Sequence, residues 1–132
     1  MPTSTFHILC VDDDDDISEV INMLLHQANS NYEIQSIKTP EEGLRLATIE
    51  EFDLYVLDYR YPQMSGINLC RSIRQLHPHT PILFFTGEER EAMRQKALEA
   101  SAQAYLVKPN DLNKLAATVR RLIGVGEGAG KT

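Results

Sequence analysis

The chain has 132 residues, of which 42% are hydrophobic and 24% charged, and this balance suits one soluble globular domain. Its formal net charge of -6 argues against general nucleic-acid binding, which requires a basic surface. No apolar run approaches the roughly 18 residues that a membrane-spanning helix needs, and residues 1–5 lack the features of a signal peptide. We therefore expect no membrane association and a cytoplasmic location, in which Cys10 and Cys70 are buried, reduced thiols.

Five short apolar runs predict the strands of a parallel sheet. Four of the runs are almost continuously apolar, as expected for strands that are buried on both faces. The second run alternates polar and apolar residues, which predicts a half-exposed edge strand. In chain order the runs are 6–11, 32–37, 52–57, 82–85 and 104–107.

Apolar residues between these runs repeat at the spacing of amphipathic helices. The stripe over residues 17–28 predicts the first helix, capped by one of the three aspartates at 14–16. Thr39 can cap the second, with Pro40 in its first turn and Glu42 completing a capping box. The later helices carry Leu69, Ile73 and Leu76; then Ala92, Met93, Ala97 and Ala100; then Leu112, Leu115, Ala116, Val119, Leu122 and Ile123.

Strand and helix alternate five times, which indicates an α/β protein. Right-handed crossovers then give a flavodoxin-like doubly wound sheet, in the order 2-1-3-4-5 with helices on both faces. This domain is expected to span residues 1–123. Residues 124–132 are glycine-rich and are expected to form a flexible tail or the start of a linker.

Polar residues follow four of the predicted strands, where ligands bind in open α/β sheets. Asp12 and Asp13 follow the first strand, and Asp58 follows the third. Thr86 follows the fourth strand and Lys108 the fifth. Crowded carboxylates repel one another, and a hard cation such as Mg²⁺ relieves this repulsion. Because an aspartate can also attack a phosphoryl group, the set predicts metal-assisted phosphoryl chemistry.

Each of these residues also has an ordinary structural interpretation. Taken alone, Lys108 is better explained as a solvated loop residue and Thr86 as a helix cap. The acidic run 12–16 could be a helix start favoured by the helix dipole. It does not fit an EF-hand loop, which needs glycine at its sixth position and glutamate at its twelfth.

Four strand-end motifs together resemble the signature of response-regulator receiver domains of two-component or phosphorelay signalling. They are VDD at 11–13, VLDYRYPQMSG at 56–66, FTG at 85–87 and YLVKP at 105–109. The resemblance implies a phosphorylation-dependent switch, similar to single-domain chemotaxis regulators, rather than an enzyme. Only self-catalysed phosphotransfer and autodephosphorylation are expected of it.

The resemblance also implies a role for each site residue. Asp58 would be the phosphoacceptor, with Lys108 pairing with the phosphoryl group and preceding a cis Pro109. Mg²⁺ would be held by Asp12, Asp13, Asp58 and the Arg60 backbone carbonyl.

The same resemblance implies how phosphorylation would be transmitted. Thr86 would move toward the phosphate and Tyr105 would turn inward, which changes the surface of helix 4, strand 5 and helix 5. The donor would be a sensor histidine kinase or a histidine phosphotransfer protein. The sequence does not identify the downstream partner or output domain. Charged residues within 88–94, which are placed on helix 4, and Lys114, Arg120 and Arg121 on helix 5 could support a dimer through this surface, although any solvated helix carries such charges.

Some positions depart from the usual receiver pattern. Tyr61 stands where methionine is usual and Asn110 where an aromatic is common, and both are interpreted as packing variants. Arg60 and Glu88 border the pocket. We hypothesise that they pair across its mouth, hinder the attacking water and lengthen the phosphorylated lifetime.

Two other functions are weighed against the switch. A phosphatase of the haloacid-dehalogenase type would need a second acid two residues after its nucleophile, where Arg60 stands. A pseudo-receiver would be an interaction module that is never phosphorylated, and the intact set of charged strand-end residues argues against it.

Overall fold

The chain folds around one parallel sheet of five strands. The computed structural model describes the backbone of residues 5–130 and the side chains of residues 5–124. The strands are β1 (Phe6–Val11), β2 (Tyr32–Ile37), β3 (Leu54–Leu57), β4 (Ile82–Thr86) and β5 (Ala104–Val107). Their order is β2-β1-β3-β4-β5, and every neighbouring pair is parallel. This order confirms the predicted doubly wound α/β fold.

Burial along the strands follows their positions in the sheet. Every residue of β3 and β4 is buried, as predicted for continuously apolar strands. The edge strand β2 has only Tyr32 buried. The predicted start of β3 at residue 52 is wrong, because the strand begins at Leu54. Phe52 precedes the strand and packs in the apolar core, where it is 7% exposed.

Five helices connect and follow the strands. They are α1 (Asp15–Ala28), α2 (Pro40–Ile49), α3 (Gly66–Leu76), α4 (Glu91–Glu99) and α5 (Leu115–Gly130), with a 3₁₀ turn at Leu112–Lys114 before α5. The Asp14 carboxylate caps α1, and the Thr39 hydroxyl accepts from the Glu42 N–H to cap α2. The Glu42 carboxylate contacts Arg45 instead of returning to the cap. The placement of residues 88–90 on helix 4 is wrong, since α4 begins at Glu91.

The sheet separates two apolar clusters, because side chains alternate between its faces along each strand. Leu9 belongs to the cluster under α2, α3 and α4, whereas Ile8 and Cys10 belong to the cluster under α1 and α5. A fully buried side chain such as Leu25 contributes about 2 kcal/mol of hydrophobic stabilisation. Cys10 and Cys70 are buried free thiols, as predicted. Helices thus cover both faces of the sheet and leave the ends of the strands open.

The backbone of α5 continues to Gly130, beyond the predicted helix end at Ile123. Glycine costs a helix about 1 kcal/mol relative to alanine, which is why the sequence favoured an earlier end. The division into a domain of 1–123 and a tail of 124–132 stays a prediction, and its last two residues lie outside the described residues. So do residues 1–4, on which the expected absence of a signal peptide depends. None of the described helices has both the length and the hydropathy of a membrane-spanning segment.

Candidate functional site

Three carboxylates lie together at the carboxyl end of the sheet. β1 and β3 are neighbours whose last paired residues are Val11 and Leu57, so the residues that follow them leave the sheet side by side. Carboxylate oxygens of Asp12, Asp13 and Asp58 come within 4.8 Å of one another. Parallel pairing in this register therefore produces the acidic cluster that the strand-end motifs predicted.

The Lys108 ammonium offsets part of this negative charge. Its Nζ atom lies 2.7 Å from Asp12 Oδ2 and 3.2 Å from Asp58 Oδ2, and the Lys108 side chain is 14% exposed. The Lys108 N–H donates to the Thr86 carbonyl at 2.8 Å, which fixes the backbone beyond β5. The Lys108–Pro109 bond is cis, as the resemblance implied. Burial opposes protonation of Lys108, but the two carboxylates outweigh it and raise its pKa overall.

Asp12 is the buried member of the cluster and Asp13 the exposed one. The Asp12 side chain is 3% exposed, and its Oδ1 atom accepts from the Asp14 N–H at 2.9 Å. Burial raises the pKa of Asp12, and the hydrogen bond from Lys108 offsets this only in part. Three carboxylates around one ammonium leave a negatively charged site with oxygen ligands, which is the donor set that Mg²⁺ prefers.

Thr86 is buried at the end of β4, and its hydroxyl faces the residue that follows Asp58. Its Oγ1 atom accepts from the Glu88 N–H at 3.2 Å and from the Tyr59 N–H at 3.4 Å. It therefore bonds to the backbone that follows β3 as well as to its own loop. Thr86 therefore contacts Tyr59, the residue that follows Asp58. Its movement toward a phosphate stays a prediction.

Tyr105 lies inside the protein, and its inward turn on phosphorylation stays a prediction. It is 9% exposed, and its hydroxyl donates to the Glu88 carbonyl at 2.6 Å. Its ring stacks on Phe84 with a centroid separation of 5.8 Å. This places the Tyr105 hydroxyl against the loop that connects β4 to α4, directly beyond Thr86.

Residues 8–120 match the family described as the response regulator receiver domain. The chain belongs to this family. Receiver domains are signalling domains that bind Mg²⁺ at an acidic pocket, and response regulators receive phosphoryl groups from histidine kinases. Within the described part of the chain, Asp12, Asp13 and Asp58 form an acidic cluster of this general kind.

Individual relatives agree with this assignment. The Response regulator ArlR of Staphylococcus epidermidis is 32% identical over 117 residues, which cover 89% of this chain and 52% of ArlR. The chain thus spans about half the length of this curated relative. A CheY-like receiver domain protein from Methanospirillum hungatei has a TM-score of 0.87 at 28% identity, covering 96% of this chain and 99% of that one. The BeF3-activated DrrB receiver domain has a TM-score of 0.82 at 30% identity, covering 91% and 98%.

The loop after Asp58 in this receiver domain is folded tightly against the end of β3. A Cβ atom at position 66 would lie 1.9 Å from the Asp58 carbonyl oxygen, so the backbone approaches too closely for any residue except glycine. The Gly66 N–H donates to the Tyr59 carbonyl at 2.6 Å, and Arg60 pairs with Ser65 across the loop. The Arg60 carbonyl is thereby held on a closed loop beside Asp58.

Tyr61 is a site residue that the sequence interpretation missed by treating it as a packing variant. Its hydroxyl donates to the Val11 carbonyl at 2.7 Å and accepts from the Asp58 N–H at 2.7 Å. Burial raises the pKa of Tyr61 well above its ordinary value, so the hydroxyl keeps its proton. The available signal was the hydroxyl itself, because a tyrosine in an apolar setting needs a hydrogen-bond partner.

Arg60, Glu88 and Arg90 form a charged rim at the mouth of the pocket. Arg60 Nη2 and Arg90 Nη2 each donate to Glu88 Oε1 at 2.7 Å. The arginine side chains are 70% and 61% exposed, whereas the Glu88 side chain is 7% exposed. The hydrogen bonds from Arg90 and then Arg60 hold the pKa of Glu88 well below its usual range. The Arg60–Glu88 contact was expected from the sequence, but Arg90 was not.

Proposed function

We propose that Asp58 is the phosphoacceptor of this receiver domain. The observation that carries the proposal is the meeting of three carboxylates and one ammonium at the ends of β1, β3 and β5. Asp58 Oδ1 accepts from the Tyr59 N–H at 2.7 Å, and Asp58 Oδ2 faces Lys108. Its side chain is 15% exposed, so an oxygen is reachable from the pocket mouth.

The acidic cluster fits Mg²⁺ by its donor chemistry. The ligands would be the carboxylates of Asp12, Asp13 and Asp58 together with the Arg60 backbone carbonyl. When bound, Mg²⁺ would supply positive charge that offsets the crowded carboxylates and the incoming phosphoryl oxygens. Asp13 is exposed and Asp12 buried, so the cluster offers one ligand from the solvent side and one from the protein side.

Asp58 would attack the phosphorus atom of a phosphohistidine on a sensor histidine kinase or a histidine phosphotransfer protein. The new bond joins an Asp58 carboxylate oxygen to phosphorus, and the bond from phosphorus to the histidine nitrogen breaks, leaving the electron pair on the imidazole. Lys108 is within reach of the acceptor and would donate to the phosphoryl oxygens. The protein would therefore promote phosphoryl transfer mainly by positioning the reacting groups and by stabilising the negative charge on the phosphoryl oxygens.

Phosphorylation would be read through Thr86 and Tyr105. The Thr86 hydroxyl would move to donate a hydrogen bond to a phosphoryl oxygen. This movement would break the hydrogen bond that it now accepts from the Glu88 N–H. Since the Glu88 carbonyl accepts from Tyr105, movement of this loop would reach the surface formed by α4, β5 and α5. That surface would control a downstream partner or output domain. A dimer through this surface stays a prediction. The cytoplasmic location of the protein also stays a prediction.

We propose that the rim sets how long the phosphoryl group persists. Arg60 and Glu88, which form an ion pair, line the same pocket as Asp58. A water molecule that attacks the aspartyl phosphate must enter through the mouth of this pocket, so the pair slows autodephosphorylation.

The test of the proposed function is phosphorylation by a small-molecule donor. Incubation with Mg²⁺ and acetyl phosphate is expected to add one phosphoryl group by intact mass, and the Asp58→Asn variant is expected to add none. Asp53→Asn provides the matched control, because Asp53 precedes the opposite end of β3 and bonds to the His7 N–H. An adduct that persists in Asp58→Asn would refute the assignment. No adduct on the wild-type chain would favour the pseudo-receiver or phosphatase alternatives.

A further inference from the structure

The Tyr61 hydroxyl joins the two strand ends that carry the acidic cluster. It contacts the Val11 carbonyl and the Asp58 N–H, both at 2.7 Å. Val11 directly precedes Asp12 and Asp13, and Asp58 carries the proposed acceptor. One side-chain oxygen therefore connects the backbone of the metal-binding residues to the backbone of the nucleophile.

Packing fixes the position of this oxygen. Tyr61 is 8% exposed and belongs to the same apolar cluster as Val11 and Ile67. Both hydrogen bonds have short distances; the one to the Val11 carbonyl is buried and the one from the Asp58 N–H is partly buried. Val11 and Leu57 are the last backbone pair of β1 and β3, so the hydroxyl extends the connection between the strands past that pair.

We infer that Tyr61 is a positioning residue whose hydroxyl sets the separation between the Asp58 carboxylate and those of Asp12 and Asp13. The inference rests on the proposed function, since it concerns the same site. Phosphoryl transfer depends on placing the attacking oxygen and the metal ligands to within a fraction of an ångström. A fixed bridge between the two backbone segments meets that requirement before any ligand arrives.

Tyr61→Phe tests this role, because it keeps the ring and removes only the bridging oxygen. The buried Val11 carbonyl and Asp58 N–H then lose their shared partner. With Mg²⁺ and acetyl phosphate both saturating, the phosphorylation rate constant is expected to fall about tenfold. The dissociation constant for Mg²⁺ alone, measured by calorimetry, is expected to rise about threefold. Both are measured where circular dichroism shows the variant fully folded.

Amide hydrogen exchange supplies a signature that a loss of overall stability would not produce. The Asp58 N–H is expected to exchange faster in Tyr61→Phe, while amides in the middle of β3 keep their protection. If Tyr61→Phe does not fold, Tyr61→Leu serves instead. Its side chain is apolar and offers neither a donor nor an acceptor, so the same losses are expected.

Tyr55→Phe is the matched control. Tyr55 lies in β3 and is 0% exposed, and its hydroxyl has no hydrogen-bond partner among the described residues. Removing that oxygen is expected to leave the phosphorylation rate and the Mg²⁺ affinity unchanged.

The inference is overturned if folded Tyr61→Phe keeps the wild-type rate, Mg²⁺ affinity and Asp58 exchange, or if it loses stability alone. A wild-type chain that acetyl phosphate does not modify at Asp58 would instead refute the proposed function. In that case the Mg²⁺ titration and the Asp58 amide would still decide the role of Tyr61.

Discussion

The two charged regions of the pocket differ in their exposure to water. On the inner side, Lys108 and Asp12 are 14% and 3% exposed and lie 2.7 Å apart. On the rim, Arg60 and Arg90 are 70% and 61% exposed and share the Glu88 carboxylate at the same distance. Equal distances thus describe two different interactions, because water screens the arginines of the rim, whereas both members of the inner pair are largely buried. Within the rim only the Glu88 side chain is buried, at 7% exposed.

This difference indicates how each region responds to change. Removing one partner of a buried ion pair leaves the other charge without compensation, which destabilises the protein strongly. Exposed ion pairs contribute about 0–1 kcal/mol and their residues tolerate substitution. Substitutions of the inner charges are therefore expected to disrupt the site, whereas substitutions at the rim are expected to modulate it.

The largest effect on stability is expected from Lys108→Met. It leaves Asp12 buried beside Asp58 without a cation, so the free energy of unfolding in EDTA at pH 7 is expected to fall by about 2 kcal/mol. Urea denaturation measures the change. Lys114→Met is the control, since Lys114 pairs with Asp111 at 3.3 Å but is 65% exposed. A loss of about 0.5 kcal/mol or less is expected there, and equal losses in both variants would remove the distinction between buried and exposed pairs.

A smaller effect of opposite sign is expected from Asp13→Asn. It removes one of the crowded charges, so the metal-free protein is expected to become about 1 kcal/mol more stable. The same variant should lose the stabilisation that Mg²⁺ gives the wild type. Thermal melts with EDTA and with Mg²⁺ test both statements. Asp15→Asn is the control, because Asp15 is exposed and pairs with Lys38. A melting point of Asp13→Asn below that of wild type in EDTA would contradict the prediction.

The smallest effects are expected at the rim. Arg60→Ala and Glu88→Ala are each expected to speed autodephosphorylation by roughly twofold to fivefold, the range for an exposed ion pair. The decay of phosphorylated protein by mass spectrometry measures this rate. Arg94→Ala, which breaks an exposed pair with Glu91 on α4, should leave the rate unchanged. Unchanged rates in both rim variants would exclude the proposed control of lifetime.

The lowered pKa of Glu88 gives the rim a defined pH dependence. Because this carboxyl has a lower pKa in the folded than in the unfolded chain, its contribution to stability is complete above about pH 4.5. It is lost as the pH falls further through the folded-state value. The stability difference between wild type and Glu88→Gln is therefore expected to be constant from pH 7 to pH 5 and to narrow in more acidic solution.

The inner region could be predicted from the sequence because its geometry follows from strand alternation alone. Once parallel strands are recognised, residues that follow them must share one edge, which brought Asp12, Asp13, Asp58 and Lys108 together. The fold was predictable for the same reason, since apolar runs and helical stripes alternate regularly.

The remaining features depend on loops, whose paths no residue pattern specifies. Arg90 joins the rim because α4 begins at Glu91, so that residues 88–90 belong to the preceding loop and not to the helix. Tyr61 reaches the site because the loop closes over Gly66, which a sequence does not reveal. In both cases the local path of the backbone, and not the spacing of residues in the sequence, decides what the side chain contacts.

Glu88 connects two properties of a signal that are usually considered separately. Its side chain is part of the rim, and its carbonyl is the acceptor of the Tyr105 hydroxyl. A substitution that repositions its backbone to alter persistence also displaces the hydrogen-bond partner of Tyr105. Under the proposed function, duration and transmission would therefore be linked at position 88, whereas a substitution of Arg60 would change the duration alone.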